Sequence, residues 1–381
     1  MSKAHLHFMG IGGQGISAVA QMAHMAGETV TGCDRLASAT TRALEQVGIP
    51  VSIGHSEEHL AQADTLVISP AVPALDPRNP ELLAARQRGM RVVTWQEMVG
   101  ELMGGKCVLS VCGVHGKGTT TSMLSLMMVE AGLDPTCEIG AVVPRWGVNY
   151  RLGRSQYFVN EADEFNHNFW HYHPRLAVVK AIEFEHPEFF ADYEAFLNAF
   201  EHFIRGMDMQ SDWPLPPTIV LNADSEGCLE LWRRLCDWPG RVVTYSVEGS
   251  RLLEAPATFE AYDLNLEGET SFRVRVQSSD VRPLEREQVF HLRLPGIHNI
   301  ENALSALATA HLVGVPVEAT ARVLESFEGT RRRYEIRHQG PLRLDGVEQD
   351  IMLVDDYAHH PTAIALTLQA TRRRYPERRL V

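Results

Sequence analysis

Residues 108–124 read Val108-Leu-Ser-Val-Cys-Gly-Val-His-Gly-Lys-Gly-Thr-Thr-Thr-Ser-Met-Leu124, and this stretch decides the fold. An apolar run predicts a strand that ends at Gly113, a glycine-rich turn carries Lys117, and a helix is predicted from about Thr119. A strand, a tight turn and a helix N-terminus place backbone N–H groups and an ammonium around a phosphate. We therefore interpret the segment as a nucleoside triphosphate site; the alternative is an ordinary βα turn with a solvated lysine.

The turn departs from the usual G-x-x-x-x-G-K-[ST] pattern. Its first glycine spacing is shorter, and Gly118 follows the lysine where Ser or Thr is expected. We therefore expect Thr119 to take the magnesium contact.

Composition limits the class of protein. The chain has 381 residues, a net charge of −13, 45% hydrophobic and 22% charged residues. This length predicts two to three domains, and the acidic balance argues against a general nucleic-acid binder. Without a run of about eighteen apolar residues or a signal-peptide pattern, we expect a cytoplasmic protein with no membrane partner. The six cysteines lack C-x-x-C spacing, which predicts reduced thiols and neither a disulfide nor a zinc framework.

The order of the segments predicts an α/β protein of three domains. Residues 1–104 alternate strand and helix signals, which is typical of a parallel sheet flanked by helices. Residues 105–328 form a second α/β region, in which residues 258–294 alternate like antiparallel strands. Residues 329–381 begin a third region that ends at Arg-Arg-Leu-Val, a sequence that looks like the opening of another strand.

A second glycine-rich turn lies near the N-terminus. Gly10, Gly12, Gly13 and Gly15 fit G-x-G-x-x-G loosely, and Asp34 lies at the end of the next predicted strand, where a ribose hydroxyl is often held. A dinucleotide, a nucleotide sugar and a purely structural turn all remain open. Two nucleotide-type turns in one chain favour an enzyme with two phosphorylated ligands.

Polar side chains follow two further strands of the middle region. Glu161, Asp163 and Glu164 come after one apolar run, and His186 follows another. Ligands bind at the carboxyl ends of parallel strands, and Mg²⁺ prefers hard oxygen ligands. We predict Glu161 as the first metal ligand and His186 beside a second metal or the γ-phosphate. The alternatives are a solvated acidic loop and a structural histidine.

Two further groups of polar residues follow. Asn299 and Asn302 are three residues apart, so on a helix they share one face and could grip a base; simple capping by Asn299 is the alternative. Arg331 to Glu335 and Asp355 to Pro361 place fixed positive charge and acidic, imidazole-rich groups in the third region. A solvated basic face is the alternative to a third domain that closes over the nucleotide.

These motifs together resemble the Mur ligases. The resemblance rests on Gly-Ile-Gly-Gly-x-Gly near the N-terminus, Gly-x-His-Gly-Lys, Glu-Ala-Asp-Glu at 161–164, Glu185-His186, His298-Asn299-x-x-Asn302, Arg-Arg-x-Glu at 332–335 and Asp-Asp-Tyr-x-His-His-Pro at 355–361. It covers essentially the whole chain in the right order. It implies a Rossmann-like N-terminal domain that binds a UDP-sugar, a central P-loop ATPase domain and a C-terminal α/β domain that binds an amino acid.

The resemblance also implies a function and roles for residues. It implies an ATP-dependent ligase of peptidoglycan synthesis, a monomer or homodimer, that joins L-alanine to UDP-N-acetylmuramate through an acyl phosphate. The catalytic residues would be Lys117, His186 and Arg333, and the metal ligands Thr119, Glu161 and His186. The UDP-sugar would contact Gly10, Gly12, Gly13, Gly15 and Asp34. ATP would contact Gly113, His115, Gly116, Lys117, Gly118, Thr119, Thr120, Asn299, Asn302 and Asp356.

Some positions depart from the family pattern. Gly118 replaces the usual Thr, as in folylpolyglutamate synthetases; Ala181 stands where Asn is usual, and Glu185 replaces Asp. These changes bear on metal geometry. Only about fifty residues follow Gly329, so we expect the third domain to be incomplete and the chain to bind both nucleotides but to ligate poorly.

Three other functions remain open. One is the recycling ligase that joins a tripeptide to the same sugar nucleotide. The stretch His171-Tyr-His-Pro174 slightly favours this ligase. The others are an NAD-dependent oxidoreductase and a binding-only relative.

Overall fold

The computed structural model describes residues 4–210, 212–250, 252–284, 288–344 and 346–381. It divides into two compact units, one ending at Gly105 and one beginning at Lys106. Among the described residues, no helix is both long and apolar enough to cross a membrane.

The first unit is a parallel sheet with helices. Its strands follow the order β3-β2-β1-β4-β5, which is the order of a dinucleotide-binding fold. The strands are β1 His5–Met9, β2 Thr29–Asp34, β3 Val51–Ile53, β4 Thr65–Ile68 and β5 Arg91–Thr94. The helices are α1 Gln14–Met25, α2 Ala39–Gln46, α3 Ala71–Leu75, α4 Pro80–Gln87 and α5 Trp95–Leu102, with a 3-10 helix Glu57–Leu60. The predicted Rossmann-like domain is confirmed.

The second unit is built on a sheet whose described strands follow the order β15-β14-β13-β12-β11-β10-β6-β9-β7-β8. The strands are β6 Cys107–Cys112, β7 Thr136–Val143, β8 Val148–Arg151, β9 Tyr157–Glu161, β10 Leu176–Val179, β11 Thr218–Asn222, β12 Arg241–Val247, β13 Phe259–Asn265, β14 Thr270–Val276 and β15 Val289–Leu292. The strands from β9 and β6 through β12 to β13 are parallel, whereas β13, β14 and β15 pair antiparallel, as predicted. The hairpin of β7 and β8 was not predicted.

Helices cover this sheet and place the site at the strand ends. Buried side chains of the helices Lys117–Glu130 and Ile297–Leu312 pack in one core with those of the sheet. The helix Tyr193–Arg205 begins where it does because Asp192 caps it, with its carboxylate accepting from the N–H of Ala195. The helices are α6 Lys117–Glu130, α7 Tyr193–Arg205, α8 Glu226–Arg234, α9 Ile297–Leu312 and α10 Val317–Ser326.

The last segment forms an antiparallel pair and a helix. Strands β16 Glu335–Leu344 and β17 Val347–Asp355 pair with each other, and helix α11 Pro361–Arg374 follows. The prediction that Arg378 to Val381 open another strand is wrong, because none of these residues forms a strand. The boundary at residue 329 stays a prediction, since the segment lies within the second compact unit.

Gly15 provides a test of packing in the first unit. A Cβ atom on Gly15 would lie 2.9 Å from Cζ2 of Trp95, at the contact between α1 and α5. We therefore expect Gly15→Ala to destabilise the protein by about 1–3 kcal/mol through overpacking. In a Trp95→Ala background the clash is absent, and the same substitution should be neutral or stabilising by up to about 1 kcal/mol, because Ala favours helix.

The measurement is urea unfolding followed by circular dichroism, for the two single variants and the double variant. An equal loss of stability in both backgrounds would show that Trp95 is not the cause.

Candidate functional site

The glycine-rich turn between β6 and α6 leaves a helix N-terminus open. Gly116 is the N-cap of α6, with a φ of +78°, and neither a side-chain cap nor an acidic residue is present in the first turn. A Cβ on Gly113, which has a φ of +110°, would lie 2.9 Å from the backbone nitrogen of Ala181. Both glycines are therefore needed, and the first N–H groups of α6 remain available to an anion.

This helix end faces a cavity of about 880 Å³. All of the residues that line it belong to the second unit. The predicted site residues among them are His115, Gly116, Lys117, Gly118, Thr119, Glu161, His186, Asn299, Asn302, Arg333 and Asp356. Gly113 and Thr120 do not line it: Gly113 sits against the backbone of residues 180–181, and Thr120 is fully buried, with its Oγ1 3.4 Å from Oδ1 of Asn302.

Lys117 is paired within the protein. Its Nζ donates to both carboxylate oxygens of Glu164, at 2.8 Å each. Burial disfavours the ammonium, but Glu164, Asp163 and Glu161 together raise the pKa of Lys117 above its ordinary value. Burial raises the pKa of the Glu164 carboxyl to about 7, although Lys117 opposes that shift. The charge of Lys117 is therefore held in place by a fully buried carboxylate that the sequence analysis did not assign.

Glu161 lies at the end of β9, next to the phosphate turn. Its Oε2 accepts from the N–H of Gly140 at 2.7 Å, and a Cβ on Gly118 would come within 3.0 Å of the same oxygen. Glu138, on β7, is buried, and burial with the charges of Glu161 and Asp163 raises its pKa to about 8. Several carboxyl groups thus lie around the partly exposed ammonium of Lys117, an arrangement suited to an additional metal ion.

Among the described residues at this cavity, two groups of side chains have donor atoms close enough to share a cation. The first is Glu164, Glu185 and His186, and the second is His115, Glu183 and His360; within each, the ligand atoms lie within 4.8 Å of one another. Nε2 of His186 is 4.0 Å from Oε1 of Glu164 and 3.9 Å from Oε2 of Glu185.

Glu164 was predicted only as part of the acidic stretch that follows β9, without a role of its own, and no role was predicted for Glu183 or His360. The Asp-Asp-Tyr-x-His-His-Pro motif was the only signal for His360. Nothing in the sequence places that motif beside β10.

The two asparagines of α9 face the cavity, and neither caps the helix. Gly296 is the N-cap of α9 and forms no side-chain cap, so the capping alternative for Asn299 is wrong. Nδ2 of Asn299 donates instead to the carbonyl of Pro295 at 2.8 Å, while Nδ2 of Asn302 donates to Oδ1 of Asn299 at 3.3 Å. The pair is therefore oriented by the protein, and its contact with a base stays a prediction.

Residues of the last segment complete the wall of the cavity. The carboxylate of Asp356 accepts from the N–H of Tyr334 at 2.9 Å and from that of Ala358 at 2.7 Å. The guanidinium of Arg333 lies 5.3 Å from the centre of the Tyr357 ring. Asp356 thus shapes its own loop, and the roles of Arg333 and Asp356 toward a nucleotide stay predictions.

The glycine turn of the first unit has a different construction. The carbonyl of Cys33 accepts from the N–H groups of Gly10 and Ile11, and Oδ2 of Asp34 accepts from the N–H of Gly12 at 2.8 Å. Gly15 permits the close approach of Trp95. Asp34 therefore braces the turn, and its predicted ribose contact, like the sugar-nucleotide contacts of Gly10, Gly12, Gly13 and Gly15, is not tested by this geometry.

The chain is similar to known proteins over nearly its whole length. Residues 5–106 match the family model "Mur ligase family, catalytic domain" and residues 111–310 match "Mur ligase middle domain". The chain is 37% identical over 378 residues to the UDP-N-acetylmuramate–L-alanine ligase of Psychrobacter arcticus, covering 99% of this chain and 73% of the relative.

Solved structures of two ligases also match the fold of this chain. The UDP-N-acetylmuramate–alanine ligase of Thermotoga maritima matches with a TM-score of 0.76 and 26% identity, over 98% of this chain and 78% of that one. The UDP-N-acetylmuramate:L-alanyl-gamma-D-glutamyl-meso-diaminopimelate ligase of Neisseria meningitides matches with a TM-score of 0.71 and 29% identity, over 87% of this chain and 100% of that one.

The buried carboxyl of Glu138 predicts a dependence of stability on pH. Its folded pKa of about 8 lies above the ordinary value of 4.5, so the folded state binds a proton that the unfolded state releases. The free energy of unfolding should therefore fall as the pH rises from about 4.5 to 8, by up to about 1.4 kcal/mol per pH unit, and level off above. Glu138→Gln should make this slope shallower and remove it between about pH 7 and 8, while Glu164, whose pKa burial raises to about 7, keeps a slope at lower pH.

The measurement is urea unfolding between pH 5 and 9 in the presence of a chelator. Glu267→Gln, at an exposed position after β13, is the control and should keep the wild-type slope. An unchanged slope in Glu138→Gln would mean that Glu138 is ionised in the folded protein.

Proposed function

Because the chain belongs to the Mur ligase family, we propose that it is the ATP-dependent ligase that joins L-alanine to the lactyl carboxylate of UDP-N-acetylmuramate in peptidoglycan synthesis. The observation that carries this proposal is the 37% identity to a UDP-N-acetylmuramate–L-alanine ligase over 99% of the chain. The resemblance of the motifs, found from the residues alone, supports the same activity.

The reaction has two steps. A carboxylate oxygen of the sugar nucleotide attacks the γ-phosphorus of ATP, and the bond to the β-phosphate oxygen breaks, giving an acyl phosphate and ADP. The amino group of L-alanine then attacks the acyl carbon, phosphate leaves, and the nitrogen loses a proton to form the amide. No covalent enzyme nucleophile is needed, so the protein acts by positioning and by stabilising charge.

The cavity of the second unit fits ATP. Its volume is about 880 Å³, and the uncapped N-terminus of α6 offers N–H groups to the phosphates. In this proposal Lys117 exchanges its bond to Glu164 for a bond to the transferred phosphoryl group, and Arg333 adds charge from the last segment. The other contacts between the glycine-rich turn and ATP would come from His115, Gly116, Gly118 and Thr119. The contacts with the adenine base would come from Asn299 and Asn302.

The same site has the donor chemistry for magnesium. The Glu161 carboxylate and the Thr119 hydroxyl lie on the cavity wall, and Mg²⁺ needs few protein ligands because it keeps several waters and phosphate oxygens. Glu164, Glu185 and His186 form a second group of donors. When bound, Mg²⁺ neutralises charge on the phosphates. We propose Glu161 and Thr119 for the first ion and His186 for a second.

A second candidate follows from the Neisseria structure, which is 29% identical and is named as a ligase of the tripeptide L-alanyl-gamma-D-glutamyl-meso-diaminopimelate. The two ligases would differ in the amine that they join and not in the sugar nucleotide.

The N-terminal turn is proposed to bind the UDP-sugar, because an oxidoreductase that bound NAD there would leave Lys117 and the asparagine pair without a role.

The experiment is ADP release with ATP, Mg²⁺, UDP-N-acetylmuramate and one amine at a time: L-alanine, L-serine, glycine or L-alanyl-γ-D-glutamyl-meso-diaminopimelate. We expect ADP release to be slow, in line with the poor ligation expected from the sequence, and to depend on L-alanine. Preference for the tripeptide would establish the second candidate. Calorimetric titration with UDP-N-acetylmuramate and with NAD separates the ligases from an oxidoreductase. Binding of ATP and of UDP-N-acetylmuramate without any release of ADP would identify a binding-only relative.

Removing the Lys117 ammonium should abolish turnover and weaken ATP binding. The ammonium neutralises phosphoryl charge in a site walled from water, where such an interaction is strong. ATP binding is measured by calorimetry and turnover by ADP release. Lys106→Ala is the matched control, since Lys106 donates to the carbonyl of Ser155 and does not line the cavity. Normal activity in Lys117→Ala would contradict the phosphate role.

Glu161→Gln should raise the Mg²⁺ concentration needed for half-maximal turnover. The substitution keeps the shape and removes the charge that a hard cation requires. The measurement is turnover against Mg²⁺ at fixed ATP, with Glu130→Gln as a control, because Glu130 pairs with Arg322 outside the cavity. Unchanged magnesium dependence would remove Glu161 from the metal site.

A further inference from the structure

A compact group of metal-binding side chains lies inside the first unit, apart from the ATP cavity. It consists of His7 on β1, Cys33 on β2, His59 in the 3-10 helix and Glu81 on α4. Their ligand atoms all lie within 4.8 Å of one another. His7, Cys33 and Glu81 are almost completely buried.

The spacing of these atoms is close to that of a coordination shell. Oε1 of Glu81 is 2.7 Å from Nδ1 of His59, and Oε2 is 3.0 Å from Sγ of Cys33 and 3.6 Å from Nε2 of His7. Zinc bonds of about 2.0–2.3 Å in a tetrahedron place ligand atoms roughly 3.3–3.8 Å apart. The His59–Glu81 and Cys33–Glu81 pairs would each have to separate by less than about 1 Å to reach this spacing, and any pair near the 4.8 Å limit would have to approach by about 1 Å.

His7 carries an unsatisfied nitrogen that points into this group. Its side chain is 1% exposed, and Nε2 has no hydrogen-bond partner. The other ring nitrogen, Nδ1, lies 2.9 Å from the hydroxyl of Thr31. With the ring proton on Nδ1 and donated to Thr31, Nε2 presents a lone pair to the group, which is how metal-ligating histidines are oriented. A buried polar atom without a partner is costly unless a ligand satisfies it.

Glu81 and Cys33 give the group the charge that a cation needs. Oε1 of Glu81 lies 2.7 Å from Nδ1 of His59, and Oε2 accepts from the Cys33 thiol at 3.0 Å, so both oxygens of this buried carboxylate face other members of the group. The thiol proton of Cys33 therefore points at the carboxylate in the metal-free protein. A metal would displace that proton and pair with the buried carboxylate.

We propose that His7, Cys33, His59 and Glu81 form a binding site for a divalent transition metal of the zinc class. Nitrogen and sulfur donors select Zn²⁺ or Co²⁺ over Mg²⁺ and Ca²⁺, which prefer oxygen. His59 is partly exposed, with 20% of its side chain accessible, and gives a route in from solvent. Four protein ligands would close the shell, so the role is structural.

A metal at this site would fix the position of the strand residue Cys33, which holds the start of the N-terminal glycine turn. The backbone carbonyl of Cys33 holds Gly10 and Ile11, while its side chain belongs to the metal group. A bound metal would join β1, β2, α4 and the 3-10 helix directly behind the turn proposed to hold the UDP-sugar.

The test is Co²⁺ titration of the 381-residue chain after treatment with a chelator. Thiolate coordination gives an intense near-ultraviolet sulfur-to-cobalt band. Of the metal-binding groups found among the described residues, this one alone contains a cysteine. We expect the band to saturate at one equivalent, to be lost on addition of Zn²⁺, and to be absent from Cys33→Ser. Cys236→Ser, which changes the exposed free cysteine, should retain it.

A second variant keeps all four ligands in place. Thr31→Val removes the hydroxyl that orients His7 and should weaken Co²⁺ binding roughly 10–100-fold, measured by competition with a chelator in protein shown to be folded by circular dichroism. Absence of the band from the wild type would overturn the proposal, as would its persistence in Cys33→Ser. Unchanged affinity in Thr31→Val would do the same.

Discussion

The pairing of the Lys117 ammonium, which faces the cavity, with the buried carboxylate of Glu164 is the constraint on which the site depends. Glu164 neutralises Lys117 from a fully buried position, while Glu161 and Asp163 add negative charge at the same strand end. A triphosphate brought into this cavity would meet more negative charge than positive. The arrangement is complementary to a nucleotide that arrives with a divalent cation, so in the proposed function metal and nucleotide bind as one complex.

The glycine turns and most strands were predictable because their signals are local. Residues 107–117 contain a strand, a turn and the start of a helix, and the signals for all three lie in consecutive residues. Similar local patterns predicted most elements of both compact units. The hairpin of β7 and β8 was missed, because it is stabilised by pairing of β7 with β9 and not by its own periodicity. The pairing of Lys117 with Glu164 joins residues 47 positions apart and exists because β6 and β9 are neighbours.

Residue types were easier to predict than the partners of their side chains. Asp34 was assigned to a sugar and Asn299 to a base or a cap, yet each forms hydrogen bonds inside the protein. Such bonds fix the shape of a site before a ligand binds, so a residue characteristic of a motif can orient others. Gly15 is a clear case: it fits a nucleotide motif, and in the structure it makes room for an indole ring.

Gly118 has a consequence for how this family can be compared and recombined. A side chain at that position would press on the Glu161 carboxylate, 3.0 Å from the place of its first carbon. That carboxylate oxygen is the far end of a flexible side chain, so the common threonine could be restored if Glu161 yields by a few tenths of an ångström. The acid itself keeps the family pattern, and only the room beside it differs. A chimera that exchanges this turn therefore changes the freedom of the Glu161 carboxylate and not its identity.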